Sequence, residues 1–303
     1  MKVEHIDPQN HEETTILVEG LARDTTLMHI TDSHFAEGDE RDPEAGEAVE
    51  KYQELFQQRT PGGVPATQVF REALARSNEI EADCTVLTGD IIHFPSLAGL
   101  DAIEAGVKSL DAPYLYTLGN HDWFFPYLEW NDEIRQAYYP RFHRLTGGDP
   151  ACQVEEINGL LLVALDNSNY QVSQVQVDFL QEQLQTGLPC LLFMHIPLCT
   201  PALMPAVMEF WEAPIVMAAQ EGWTEESRAR WKVRKNDEST QACYELLNSE
   251  AAQNLAGIFS GHVHFPHGSA MGEGCFQYVT RPGFEGGYRV IRLKPRSYTL
   301  FEK

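Results

Sequence analysis

Five short β-branched or apolar runs in this chain each stop at a residue type that binds metal ions, and no other feature constrains the fold as much. Residues 27–31 lead into Asp32-Ser33-His34, 86–88 into Gly89-Asp90, and 114–118 into Gly119-Asn120-His121-Asp122. Residues 191–194 lead into His195, and 257–260 into Gly261-His262-Val263-His264. Apolar runs this short, bounded by polar clusters, read as buried strands. In α/β sheets the loops beyond the carboxyl ends of strands form the ligand site, so the five segments are expected to converge on one place.

The remaining pattern supports an α/β fold. Further strands are predicted at 15–18, 160–165, 276–280 and 288–293. Helical spacing links Val69, Phe70, Ala73, Leu74 and Ile80 after Pro65. It also links Val175, Phe179, Leu180 and Leu184, between a capping box of Ser173 with Gln176 and a stop at Gly187. Strands and helices that alternate in this way build largely buried sheets, and the crowding of strands after Gly257 predicts a mixed sheet with an antiparallel C-terminal part.

The donor set sets the chemistry. Three carboxylate or amide oxygens and four imidazoles suit divalent ions such as Mn, Fe, Zn, Co or Ni, and they exceed what one tetrahedral ion takes. They fit two ions that share a bridging carboxylate, a centre in which a bridging hydroxide attacks phosphorus in line. Asp32 and His34 lie two residues apart, as do His262 and His264, so each pair can face one way on an extended turn. Taken singly, an Asp or Asn after a strand is more often a cap or turn former, and a lone His is more often structural. The ordered set decides otherwise.

Charge narrows the partners. The net charge of −23, from 45 acidic and 22 basic residues, repels polyanions and argues against extended nucleic acid or an anionic membrane surface. An anionic substrate then needs local positive charge, which bound cations supply. None of the six cysteines forms a CxxC pair, so neither a disulfide framework nor a zinc ribbon is implied. Residues 1–10 are polar and lack the basic start and apolar stretch of a secretory signal, and the longest apolar run, 160–165, is far too short to span a bilayer. A cytoplasmic protein is expected, with no membrane partner and with a homo-oligomer left open.

The five blocks, in this order, resemble those of the calcineurin-like metallophosphoesterases. The resemblance runs over roughly residues 27–265, and it implies a four-layer α/β/β/α sandwich with two packed mixed β-sheets. It implies that Asp32, His34 and His264 hold one metal, that Asn120, His195 and His262 hold the second, and that Asp90 bridges them. His121 would then protonate the leaving oxygen or stabilise the transition state, and Asp122 would orient its imidazole and favour the imidazolium. The activity implied is hydrolysis of phosphate esters, with phosphodiesters or small phosphorylated metabolites such as nucleotides as substrates and two divalent ions (Mn, Fe, Zn or Ni) as cofactors. The alternatives are a phosphomonoesterase or protein phosphatase of the same fold, a nuclease, and a non-catalytic metal-binding scaffold like the retromer-type members of the superfamily. The acidic charge disfavours the nuclease.

Several segments depart from the simplest pattern. His93 stands where purple acid phosphatases place a metal-binding tyrosine, and its closeness to Asp90 leaves a supporting role open. The whole of 1–303 is expected to be one domain with insertions near 36–63 and 200–240, the first an exposed, acidic stretch with one surface helix. Segment 200–236 carries Met204, Met208, Phe210, Trp211, Trp223 and Trp231 among basic residues. It reads as an amphipathic helical hairpin packed on the body, with a cap over the cleft or a dimer contact as the sharper alternatives. In the run Trp123-Phe124-Phe125-Pro126-Tyr127, core packing is the plainer role for any one ring, and a wall for the leaving group is the sharper one. His5, His11, His29, His143 and His267 lack a motif partner and are expected to be ordinary.

Overall fold

A computed structural model of the chain describes residues 1–272 and 274–296. Its strands are β1 (Val3–Ile6), β2 (Glu13–Val18), β3 (Thr25–Ile30), β4 (Cys84–Thr88), β5 (Tyr114–Thr117), β6 (Cys152–Ile157), β7 (Leu160–Leu165), β8 (Cys190–Phe193), β9 (Leu255–Ser260), β10 (His267–Met271), β11 (Cys275–Val279) and β12 (Arg289–Pro295). They form two six-stranded sheets, ordered β1-β2-β12-β3-β4-β5 and β10-β11-β9-β8-β7-β6. Both are mixed. In the first, β3, β4 and β5 run parallel; in the second, β11, β9, β8 and β7 do.

Side chains alternate across a strand, and that parity sorts the core into layers. Leu27, Val86 and Leu115 of the first sheet pack against Leu160, Leu162, Leu191, Phe193 and Phe259 of the second, so apolar side chains fill the space between the sheets. Their neighbours one residue on, Met28, Leu87 and Tyr116, face the other way onto Phe70, Leu74, Leu100, Ile103 and Phe142. Those partners belong to α2 (Ala66–Glu79), α3 (Leu97–Val107) and α4 (Asp132–Thr146). Leu161, Val163 and Leu192 likewise meet Leu180, Leu184, Cys243 and Leu247 of α5 (Gln174–Gln185) and α8 (Glu238–Leu247). The layers are therefore helix, sheet, sheet, helix, as the resemblance implies.

All six residues of β7 are buried, which is why its sequence reads as a continuous apolar run rather than an alternation. The capping box is present, with the Ser173 hydroxyl accepting from the Gln176 N–H and the Gln176 side chain accepting from the Ser173 N–H. Three strands carry no clear signal in the sequence: β1, β6 and β10. Each is an outermost strand and partly exposed, so its sequence holds little of the apolar pattern that marks a central strand.

The segment 36–63 forms a 3₁₀ turn (Pro43–Ala45) and helix α1 (Gly46–Gln57). The stretch is largely exposed and holds one surface helix, as expected, and that helix is anchored to the body by the buried side chains of Val49 and Phe56, with Ala36 and Ala45 buried before it. The segment 200–240 holds two short helices, α6 (Met204–Trp211) and α7 (Glu225–Trp231). Between them runs a buried apolar stretch, 213–219, whose Met217 bridges in parallel to Leu198. Among the described residues, no helix is long and apolar enough to cross a membrane.

Candidate metal centre

The carboxyl ends of β3, β4 and β5 lie side by side in one sheet, and those of β8 and β9 in the other. Backbone hydrogen bonds continue past the strand ends and fix the loops to one another. The Asp32 N–H donates to the Gly89 carbonyl, His34 to Asp90, Phe35 to Ile91, and Gly261 to His195. Two bonds tie the sheets together at this edge: His195 Nδ1–H donates to the Thr88 carbonyl (2.8 Å), and the His262 N–H donates to Asp32 Oδ2 (2.9 Å).

The turns that aim these side chains are strained. Asp32, His34, Asp90, His262 and His264 all have φ between 46° and 69°, a region that costs a non-glycine residue of order 1–3 kcal/mol each. Close approach also dictates glycine at 119 and 261. A Cβ on Gly119 would lie 2.2 Å from Asp90 Oδ1, and one on Gly261 would lie 2.1 Å from Asp32 Oδ2. The glycines make room for the carboxylates themselves.

The seven predicted ligand residues come together as two adjoining groups. In the first, His264 Nε2 lies 3.2 Å from Asp32 Oδ1 and 3.0 Å from His34 Nε2. In the second, His195 Nε2 lies 3.2 Å from Asn120 Oδ1, and His262 completes the set with Asp90. Asp90 Oδ2 stands between them, 3.6 Å from His34 Nε2 and 3.1 Å from His195 Nε2. The other Asp90 oxygen accepts the His121 N–H at 2.7 Å.

Burial and charge show what this donor set fits. Asp32 Oδ1 is buried without a hydrogen-bond partner, and an orphaned carboxylate oxygen is costly unless a cation meets it. With its proton on Nδ1 alone, His195 would turn an Nε2 lone pair into the space shared by the oxygens of Asp90 and Asn120. Burial opposes a charge on His195, but the carboxylates of Asp90 and Asp32 and the Thr88 carbonyl more than offset it and push its pKa up to about 9. Burial would raise Asp90, but the imidazoles of His195, His121 and His34 hold it below the usual carboxylate range. Asp32 is held low in the same way by His264 and His34. The residues present fit divalent cations.

His121 lies at the rim of this cluster, its ring 5.0 Å from that of His34. Its expected partner does something else. The Asp122 carboxylate accepts backbone N–H groups from Gly119 (2.7 Å), Asp90 (2.9 Å) and Ile92 (3.2 Å), so it ties the second and third loops together instead of orienting the His121 imidazole. Burial takes the His121 pKa down to about 4, with the Asp90 carboxylate partly opposing it. Of the histidines expected to be ordinary, His29 is fully buried between the Thr280 and Thr88 hydroxyls.

Two supports are absent from the expectations drawn from the sequence. The Tyr170 hydroxyl lies 2.9 Å from His262 Nε2, so a neutral His262 that offers its Nδ1 lone pair donates Nε2–H to the phenol. Asn167 clamps the chain after His195, its amide bonding both the carbonyl and the N–H of Ile196. Both lie in the loop after β7. A signal exists, since the polar run Asp166-Asn167-Ser168-Asn169 follows the apolar strand as abruptly as the metal-type residues follow the others.

Aromatic rings surround the cluster. Phe56 of α1 stacks on His34 at 4.7 Å, and Trp211 of α6 meets the edge of His264 at 5.6 Å while donating its indole N–H to the Val263 carbonyl. Trp231 contacts Trp211, and the next residue, Lys232, sets its ammonium 4.3 Å over Phe124. The 200–240 segment thus reaches from His264 to the chain just past His121. Within the aromatic run, Trp123 and Phe125 are core, whereas Phe124 is partly exposed and Tyr127 packs on Phe125.

Comparison with known proteins bears on the family and the fold. Residues 25–266 match the family model described as calcineurin-like phosphoesterase. A cAMP/cGMP dual specificity phosphodiesterase of Mycobacterium tuberculosis is 28% identical over 182 residues, which cover 57% of this chain and 50% of that protein. The match thus spans half the length of that curated relative. Among solved structures, a dimetal phosphatase from Danio rerio aligns with a TM-score of 0.55 and 13% identity, over 88% of this chain and 91% of that one. A purple acid phosphatase from yellow lupin (Lupinus luteus) seeds aligns at 0.53 and 12% identity, over 93% of this chain and 48% of that one.

Proposed function

This chain belongs to the calcineurin-like phosphoesterase family, and from that premise we propose that it hydrolyses phosphate esters, phosphodiesters and small phosphorylated metabolites such as nucleotides first among them. The observation that carries the reading is the convergence of Asp32, His34, Asp90, Asn120, His195, His262 and His264 at the strand ends of both sheets, with His121 at the rim. The diester preference is supported by the relative described as a cAMP/cGMP phosphodiesterase. Residues 1–303 act as one domain in this reading, with 36–63 and 200–240 as insertions.

Asp32, His34 and His264 would hold one divalent cation, Asn120, His195 and His262 a second, and Asp90 would serve both. Such cations, when bound, neutralise phosphoryl oxygens and supply a nucleophile at neutral pH. The chain's own contribution is positional. Thr88 and Tyr170 hold the rings of His195 and His262, the Asp122 carboxylate fixes the loops bearing Asp90 and Asn120, and His121 would offer a ring N–H to the leaving oxygen of a bound ester and so stabilise the transition state.

The test is a panel of aryl monoesters, aryl diesters, cyclic nucleotides and glycerophosphodiesters, run on protein reconstituted separately with Mn, Fe, Zn and Ni. Turnover of diesters above monoesters, lost in Asp90→Ala, supports the proposal. No turnover of any ester with any metal removes it and favours the scaffold alternative.

A further inference from the structure

His93 is a buried histidine that the proposed ligand set does not use, yet it touches the set twice. Its Nδ1 lies 3.0 Å from His34 Nδ1, and its ring lies parallel to that of His121, 4.1 Å away at 22°. The placement is built into the backbone. The His34 N–H donates to the Asp90 carbonyl, the Phe35 N–H to Ile91, and the His93 N–H back to Phe35, so the loop after β3 and the loop after β4 are zipped together along the residues that carry the two rings.

The other nitrogen of His34 faces the cluster: its Nε2 lies 3.0 Å from His264 Nε2 and 3.6 Å from an oxygen of both Asp32 and Asp90. A neutral imidazole has one proton and one lone pair. For His34 to turn the lone pair on Nε2 toward a cation, its proton must sit on Nδ1, and an Nδ1–H so placed points at His93 Nδ1. A ligating histidine commonly donates this second N–H to a carboxylate, a carbonyl or water. Here the acceptor is another imidazole, which must then carry its own proton on Nε2.

Helix α1 holds His93 in that role. Tyr52 stacks on it at 4.1 Å and 27°. Two rings nearly parallel to a third at this distance cannot share one face, so Tyr52, His93 and His121 form a column with His93 in the middle. Phe56, four residues after Tyr52 and on the same side of the helix, stacks on His34 at 4.7 Å and 2°. The two residues of α1 that touch the site therefore lie on the two histidines joined by the Nδ1–Nδ1 contact.

We propose that His93 is a positioning residue that fixes the tautomer of His34 and the ring plane of His121, and that Tyr52 and Phe56 of α1 brace this pair from outside. The inference rests on the metal-dependent reading of the site. It explains the presence of the 36–63 segment, which closes one wall of the centre by stacking rather than by ligation.

The experiment compares the full chain with His93→Phe, which keeps a ring for the stack and removes the acceptor, and with His93→Asn, whose amide oxygen reaches near the position of Nδ1. Mn²⁺ and Zn²⁺ are titrated into each chelated protein by calorimetry, bound metal is counted, and ¹⁵N chemical shifts report the tautomer of His34 in the Zn²⁺-loaded parental chain. The expected result is an Nδ1–H tautomer at His34, an affinity loss of about 10- to 100-fold for one metal in His93→Phe, and substantial recovery in His93→Asn. With a diester substrate kcat falls in His93→Phe and KM stays. An Nε2–H tautomer at His34, or parental affinity in His93→Phe, overturns the brace and leaves the metal-dependent reading standing. One more metal per chain in the parental protein than in His93→Phe overturns it too, because His93 would then be a ligand. A parental chain that binds no divalent cation ends both.

Discussion

His195 follows β8 of one sheet and Thr88 ends β4 of the other, and the 2.8 Å hydrogen bond from the His195 ring to the Thr88 carbonyl fixes which nitrogen of that ring faces Asp90 and Asn120. The prediction from it separates ligation from support. His195→Asn keeps an amide N–H able to reach the carbonyl but has nothing at the Nε2 position. It is expected to keep its fold, with a melting temperature within a few degrees of the parental chain, and to lose about 10³-fold in kcat/KM, the scale of a lost metal contact worth several kcal/mol. Kinetics with an aryl diester and thermal unfolding measure both halves. A variant that melts normally and turns over normally would remove His195 from the site.

Gly119 makes a second case. A side-chain methyl there meets Asp90 Oδ1 at 2.2 Å and the Asp90 nitrogen at 2.3 Å, and the backbone atom cannot swing aside. Gly119→Ala is therefore predicted to destabilise the chelated protein by about 1–3 kcal/mol, the usual cost of overpacking, and to weaken metal binding through the displaced carboxylate. Urea unfolding in the presence of chelator, with a metal titration alongside, checks it. Unchanged unfolding and affinity would mean that the two loops yield more easily than this contact implies.

The central strands and the ligand loops are legible in the sequence for one physical reason. A strand buried on both faces is an uninterrupted apolar run, and each loop that converges on the site ends it with Asp, Asn or His. Edge strands β1, β6 and β10 lack that contrast and are invisible to it. The supports are harder. Asp122 looks like a partner for its neighbour His121, but its three backbone donors come from Asp90, Ile92 and Gly119, and no sequence spacing reveals a carboxylate that serves backbone. Tyr170 and the α1 aromatics act on residues 92 and 22 or more positions away, a pairing that only the folded chain makes.

Acid stability follows from His29, a buried ring outside the ligand set. Burial lowers its pKa to about 3, with Arg289 adding to the effect and Asp32 opposing it. The unfolded chain takes up a proton here below about pH 6.5, and the folded chain refuses it until about pH 3. Stability present above pH 6.5 is therefore lost as the pH falls, by up to about 1.4 kcal/mol per pH unit from this ring alone. His29→Gln in chelated protein should show a shallower decline than the parental chain in urea unfolding between neutral and mildly acidic pH. Parallel curves would show that His29 does not carry the dependence.

Substrate selectivity is expected to follow Phe124 and not Tyr127. Phe124 is partly exposed beneath Lys232 and close in chain to His121, whereas Tyr127 stacks on the core ring of Phe125. Phe124→Ala should shift the ratio of kcat/KM between bulky and small leaving groups by roughly 10-fold or more, the scale of one apolar contact in a pocket, and Tyr127→Ala should leave it alone. Equal ratios in all three proteins across the ester panel would take the aromatic wall out of the site.

The most direct test of the proposed chemistry is activity against bound metal. The chain is stripped with chelator, shown to be folded, and titrated with Mn²⁺ while diester hydrolysis and bound metal are read together. Hydrolysis absent without metal and saturating at about two ions per chain is the predicted result. Full hydrolysis by the metal-free chain would contradict it.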